Sequence, residues 1–171
     1  MTAKETIKLA LTMADRVVLG TVDKISDQPT AFPTPNGGCH PLWVVGHLAL
    51  VESLIPNVLY GDKPEIADSW QKLFGEHSEP VADAKAYPPF AEIKAKYYEL
   101  RERNLKLLDS LTEADLDRTT RNPPAGRERE FATFGSSFLT LSAHQLMHRA
   151  NVTDSMRAIG RTAAAATAAG R

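Results

Sequence analysis

Hydrophobic periodicity constrains this chain more than any other feature. Four separate stretches place apolar residues at helical spacing, and no run of alternating β-branched residues stands between two turns. Thr2 and Glu5 form a capping box, and Ile7, Ala10, Leu11, Ala14, Val17, Val18, Val22 and Ile25 follow on one stripe, predicting a first helix over 2–26. Pro41 suits the first turn of a second helix over 41–60, with Val44, His47, Leu48, Val51, Ile55 and Val58 inward, a kink at Pro56 and an end at Gly61. Phe90, Ile93, Tyr97, Leu100, Asn104, Leu107 and Leu111 predict a third helix over 89–110. Phe134, Phe138, Leu141, His144, His148, Val152, Met156 and Ile159 predict a fourth over 134–159, closed by Gly160.

Proline and glycine mark the connections. Residues 27–40 hold three prolines and two glycines and read as a loop. Residues 62–88 hold three prolines and one helical turn around Trp70 to Phe74, a length that suggests a crossover. Thr112 to Asp115 reads as the start of a short helix, and 119–130, with Pro123-Pro-Ala-Gly126, as a loop with a small hairpin. The expectation is an all-α protein, a four-helix bundle with long connections in one domain over 1–161, followed by an Ala-rich tail, 162–171. Leu50, Leu54, Leu139 and Leu146 lie off the main stripes, where they either widen the core face or meet a partner.

Charge and composition narrow the function. Lys and Arg number 20 against 21 Asp and Glu, without a basic block, so the phosphate footprint of a nucleic-acid binder is missing. A single cysteine, Cys39, excludes an intramolecular disulfide framework and a Cys₂ zinc ribbon. The opening residues show no apolar signal core, so a cytoplasmic location is expected. Leu42 to Val51 is too short to span a bilayer, and the uncharged stretch Phe131 to His148 is too polar, so no membrane segment is expected.

Five histidines are present, and three lie within the stripes. His144 and His148, four residues apart, project from one helix face, and two imidazoles so placed can bind one divalent ion. His47 sits on the second helix. If that helix neighbours the fourth, three imidazoles meet inside the bundle and leave metal positions open. The plain alternative is three core histidines, each with one hydrogen bond, yet every buried imidazole needs a polar partner and a shared metal serves all three. Asn151 and Ser155 continue the His144 face, and Tyr97 and Asn104 are read as facing the same cavity. Arg101 and Arg103 read as a solvated charged face and His77 as a solvated loop residue; Cys39-His40 reads either as a further ligand or reactive thiol or, more simply, as a buried or incidental cysteine. No phosphate loop, nucleophile elbow or His-Glu-x-x-His motif occurs.

Trp43-Val-Val-Gly-His47-Leu-Ala, His144-Gln-Leu-Met-His148 and Met156-Arg-Ala-Ile-Gly160 together resemble the DinB-like (damage-inducible) superfamily over most of the chain. The resemblance implies an up-up-down-down four-helix bundle, frequently a homodimer, with zinc or nickel held by three histidines, here His47, His144 and His148. Members of that superfamily with an assigned activity include thiol-dependent transferases and isomerases that use low-molecular-weight thiols. The expectation for this chain is a metal-dependent enzyme, a thiol-dependent transferase or a hydrolase, acting on a small molecule. A non-catalytic metal- or ligand-binding bundle is the alternative. No general acid or base is assigned. The family often places Gly-Gln after the last histidine of the pair, where this chain has Ala150-Asn151, a shorter amide.

Overall fold

A computed structural model describes residues 1–24, 30–34 and 38–169, with side chains omitted for 158, 159 and 161–169. The expected helix end at 25–26, parts of the loop 27–40, the packing of Ile159 and the last residues of the tail lie outside the described residues. The described residues form six α-helices: α1 (Ala3–Asp23), α2 (Pro41–Ser53), α3 (Ile55–Tyr60), α4 (Asp68–Phe74), α5 (Phe90–Ser110) and α6 (Phe134–Ala169). They form no strand, and the expected hairpin is reduced to an isolated bridge between Thr119 and Thr133.

Local chemistry sets most boundaries. Thr2 and Glu5 make both capping-box hydrogen bonds at the start of α1. Pro41 opens α2, and the imidazole of His40 caps it: Nδ1 accepts from the Trp43 amide at 3.1 Å while Nε2 donates to the Val81 carbonyl at 2.9 Å. The helical path breaks at Leu54, before Pro56, and α3 ends at Gly61 with φ 79°, a left-handed conformation in which a Cβ would be strained. Gly160 does not end the last helix. Without a proline or cap, the alanines beyond it continue α6 to Ala169.

Two core clusters show how the helices run. One joins Val18, Leu19 and Val22 of α1, Leu42 to Leu50 of α2, Ile93, Tyr97 and Leu100 of α5 and Val152 of α6. The other joins Ile7 and Leu11 of α1, Ile55, Val58 and Leu59 of α3, Leu108 of α5 and Phe134, Phe138 and Leu141 of α6. So α1 and α6 run one way, and α2–α3 and α5 the other. The order is up-down-down-up, which corrects the up-up-down-down expectation. That arrangement needs two full-length return connections, and this chain makes one. Residues 61–89 carry it back along α2, laying Phe74 and Tyr87 against the start of that helix.

The stretch Pro41–Tyr60 is long and apolar enough to cross a membrane, but most of it is buried in the fold, where it is the central packing element. Leu50 belongs to the core, whereas Leu139 and Leu146 are exposed.

Arg101 is the largest departure from the expected pattern. Read as solvated, it is 3 % exposed and sits where α1, α2, α5 and α6 meet. Its guanidinium lies 3.0 Å from the Glu52 carboxylate and donates to the Gln145 side-chain oxygen at 2.6 Å and the Tyr97 hydroxyl at 2.8 Å. Asp15 accepts from Tyr97 and from the Gln145 amide, and Asn104 donates to Glu52 at 2.6 Å. Burial pushes the Glu52 carboxyl upward, opposed by Arg101 and Asn104. The two carboxylates hold Arg101 charged. Arg103, half-buried, donates to the Glu52 carbonyl and pairs with Glu65. Tyr97 and Asn104 therefore belong to this polar network. Their assignment to the histidine cavity is corrected, because the face of α5 that carries them meets Asp15 and Glu52.

Candidate metal centre

His47 projects from the middle of α2, and His144 and His148 from successive turns of α6, which runs antiparallel beside it. The Nε2 atoms of His47 and His144 are 3.3 Å apart, those of His144 and His148 3.2 Å, and ligating atoms of all three lie within 4.8 Å of one another. His47 is oriented from two sides. The Trp43 ring, one helical turn earlier, stacks on it with centroids 4.8 Å apart and planes 8° from parallel. Its Nδ1 donates to the Phe74 carbonyl at 2.7 Å, which leaves Nε2 unprotonated and facing the other two rings.

Gly46 makes this second contact possible. A Cβ there would overlap the Phe74 ring, so the glycine lets the end of α4 close on α2 and deliver its carbonyl to His47. Gly46→Ala is expected to destabilise the protein by about 1–3 kcal/mol through overpacking. A urea midpoint unchanged from wild type would contradict this placement of Phe74.

The electrostatics favour neutral imidazoles. Burial, then the neighbouring His148 and His47, lower His144 to about 3. Burial and His47 lower His148 to about 4. Burial also lowers His47, with the Phe74 hydrogen bond in opposition. Buried Nδ1 atoms of His144 and His148 have no hydrogen-bond partner.

A divalent ion fits this donor set. Neutral rings that carry their protons on Nδ1 turn three lone pairs toward one point, an arrangement that repels itself unless a cation or shared proton lies between. Two imidazole nitrogens bound at ~2.0–2.1 Å to one tetrahedral ion stand roughly 3.3 Å apart. The observed separations of 3.2 and 3.3 Å match that span.

The three rings form one end of a cavity of about 400 Å³. Its walls are apolar, from Leu54, Ile55, Val58, Phe131 and Leu141 among others, and its mouth carries Gln71, Glu76 and Arg127. Arg127 and Glu76 pair at 3.0 Å, joining the crossover to the segment before α6. Asn151 and Ser155 lie one to two turns beyond His148, beside a smaller cavity of about 270 Å³ that they share with Thr34 and Cys39. Ser155 donates to the Cys39 carbonyl at 2.7 Å and so ties α6 to the entry of α2. Burial raises the Cys39 thiol, which keeps it protonated. His77 is exposed, as its loop position suggested.

Sequence reasoning did not single out Phe74, Glu76 or Arg127 as site residues, since each reaches the site by a tertiary contact. The Trp43 stack had a local signal, an aromatic ring four residues before a histidine on one helix face.

A sequence model described as the DinB superfamily matches residues 10–152, most of the chain. A search of curated proteins gave no match. The chain belongs to the DinB superfamily.

Proposed function

We propose that this DinB-superfamily protein is a four-helix bundle that holds one divalent metal ion, zinc or nickel, on His47, His144 and His148, and uses it as an enzyme on a small molecule in the adjoining cavity. The convergence of three unprotonated-ready Nε2 atoms at the spacing of a shared ion carries this reading. Three protein ligands leave at least one coordination position for water, a thiol or substrate. Such an ion lowers the pKa of a bound water or thiol and so supplies a nucleophile near neutral pH. The protein's own contribution is orientation. The Phe74 carbonyl fixes the His47 tautomer, Trp43 covers one face of its ring, and the apolar wall borders the open side. Thiol transfer and hydrolysis both follow from such a nucleophile, and a thiol-transfer and hydrolase screen of the metal-loaded protein separates them.

A non-catalytic ligand-binding role is the second reading. It is favoured by the absence of an unpaired carboxylate among the described residues that line the cavity, since Glu76 is paired with Arg127.

The histidines also predict a pH dependence. Their folded pKa values lie below the ordinary 6.5. Below pH 6.5 the unfolded chain takes up protons that the folded chain refuses, so stability falls with falling pH. For the metal-free protein the loss is expected to begin near pH 6.5 and continue to about pH 3–4. Bound metal is expected to dissociate over the acid range, because the ligands must stay neutral. Urea midpoints and metal content measured across this range check both. A midpoint independent of pH from 6.5 to 4, or one unaltered in slope by replacing all three histidines, would refute the assignment.

A further inference from the structure

We propose that Arg127 recognises an anionic group on the ligand of this cavity, and that the ligand is a small amphiphilic carboxylate whose carboxylate takes the place of Glu76 on Arg127 while its hydrocarbon part lies along the apolar wall. The proposal names the ligand class for the cavity of the metal reading, and rests on that reading only for the position of the reacting end.

Three observations lead to it. Arg127 is the only arginine or lysine among the described residues that line the cavity, and the wall below it is built from Leu54, Ile55, Val58, Phe131 and Leu141. A cavity with one cationic rim group and an apolar body is complementary to a molecule with one anionic end and an apolar body. The partner Arg127 now holds is itself a carboxylate, at 3.0 Å, and a guanidinium fork suits that planar group. The pair is also exchangeable. Both side chains are well exposed, 48 % for Arg127 and 67 % for Glu76, and an exposed pair of this kind contributes little to stability.

The exchange breaks no covalent bond. The Glu76 carboxylate returns to water, where it is well solvated, and the incoming carboxylate is partly shielded by the cavity rim. The apolar tail makes the exchange favourable by leaving water.

The test uses octanoate and octanamide, which share a tail and differ in charge. Each is titrated calorimetrically into the full-length protein, once loaded with zinc and once stripped by chelator, with zinc content measured separately. Wild type is expected to bind octanoate several-fold tighter than octanamide, the scale of one exposed ion pair. Arg127→Gln is expected to erase that preference with zinc content unchanged. Glu76→Gln is expected to tighten octanoate several-fold by removing the internal competitor. Equal affinity of wild type for the two probes overturns the proposal. So does a preference that survives in Arg127→Gln, including one that survives only in the zinc-loaded form, which would place the carboxylate on the metal. A protein that binds no zinc but still prefers octanoate through Arg127 upholds this proposal and defeats the metal reading, so the two failures are distinct.

Discussion

Protein carrying His148→Ala is expected to emerge from purification without a nickel column nearly free of metal, with affinity for zinc reduced at least ~100-fold. Removing one of three ligands takes away a bond for which the site has no substitute, since the ligating atoms within 4.8 Å of one another belong to His47, His144 and His148. The fold is expected to survive. Its support is the apolar packing of the two core clusters, and the ligands lie at the edge of a cavity, not within either cluster. In chelator, variant and wild type should therefore unfold at similar urea concentrations. The difference should appear when metal is added. Wild type gains about 2.7 kcal/mol when free metal is a hundredfold above its dissociation constant, and the variant gains little at the same concentration. His144→Ala should behave alike, because His144 lies between the other two ligands at 3.3 and 3.2 Å. Stoichiometric metal at wild-type affinity in the triple alanine variant would falsify the site.

The second large effect is expected at Arg101. Arg101→Met should destabilise the protein by ~3–5 kcal/mol, the range for breaking a buried ion pair by removing one partner. The methionine fills most of the volume, but Glu52, 2 % exposed, and the partly buried Asp15 lose the cation that compensates them. Replacing Glu52 as well, in Arg101→Met with Glu52→Met, is expected to recover a large part of the loss, because the more deeply buried of the two uncompensated carboxylates is then gone and only the partly exposed Asp15 remains. Equilibrium urea unfolding of both variants measures this directly. If the single variant is as stable as wild type, or the double variant is no better than the single, the network is not the compensated charge cluster that its distances imply. Because Gln145, the residue after His144, accepts from Arg101 at 2.6 Å, the same variant should also loosen the rotation of α6 that aims His144.

How much of this was legible in the sequence depends on the range of the interaction. Whatever acts within one or two turns could be read. The Thr2–Glu5 capping box, the first turn at Pro41, the break before Pro56 and the left-handed stop at Gly61 all follow from neighbours in the chain. The pairing of His144 with His148 is likewise fixed by the helical repeat. Stripe membership is weaker evidence, because a stripe shows that a residue faces inward without showing what it meets there. Tyr97 and Asn104 face inward, yet they meet Asp15 and Glu52, not the histidines. Arg101 lies one turn after Tyr97 and shares its face, but a guanidinium is buried only where other helices bring compensating carboxylates, and nothing local to α5 reveals them.

The sequence by itself determined the main helical stripes, the Thr2–Glu5 cap and the shared face of His144 and His148, because hydrogen bonding and side-chain periodicity act along the chain. Only the tertiary structure decided the rest. It set the up-down-down-up order, since a loop's length does not reveal to which end it returns. It also brought His47 beside α6, Phe74 onto Gly46, and Arg127 across the cavity mouth from Glu76. These contacts join residues distant in the chain, and their positions depend on how whole helices pack, a balance of buried area and paired charge that no single segment contains.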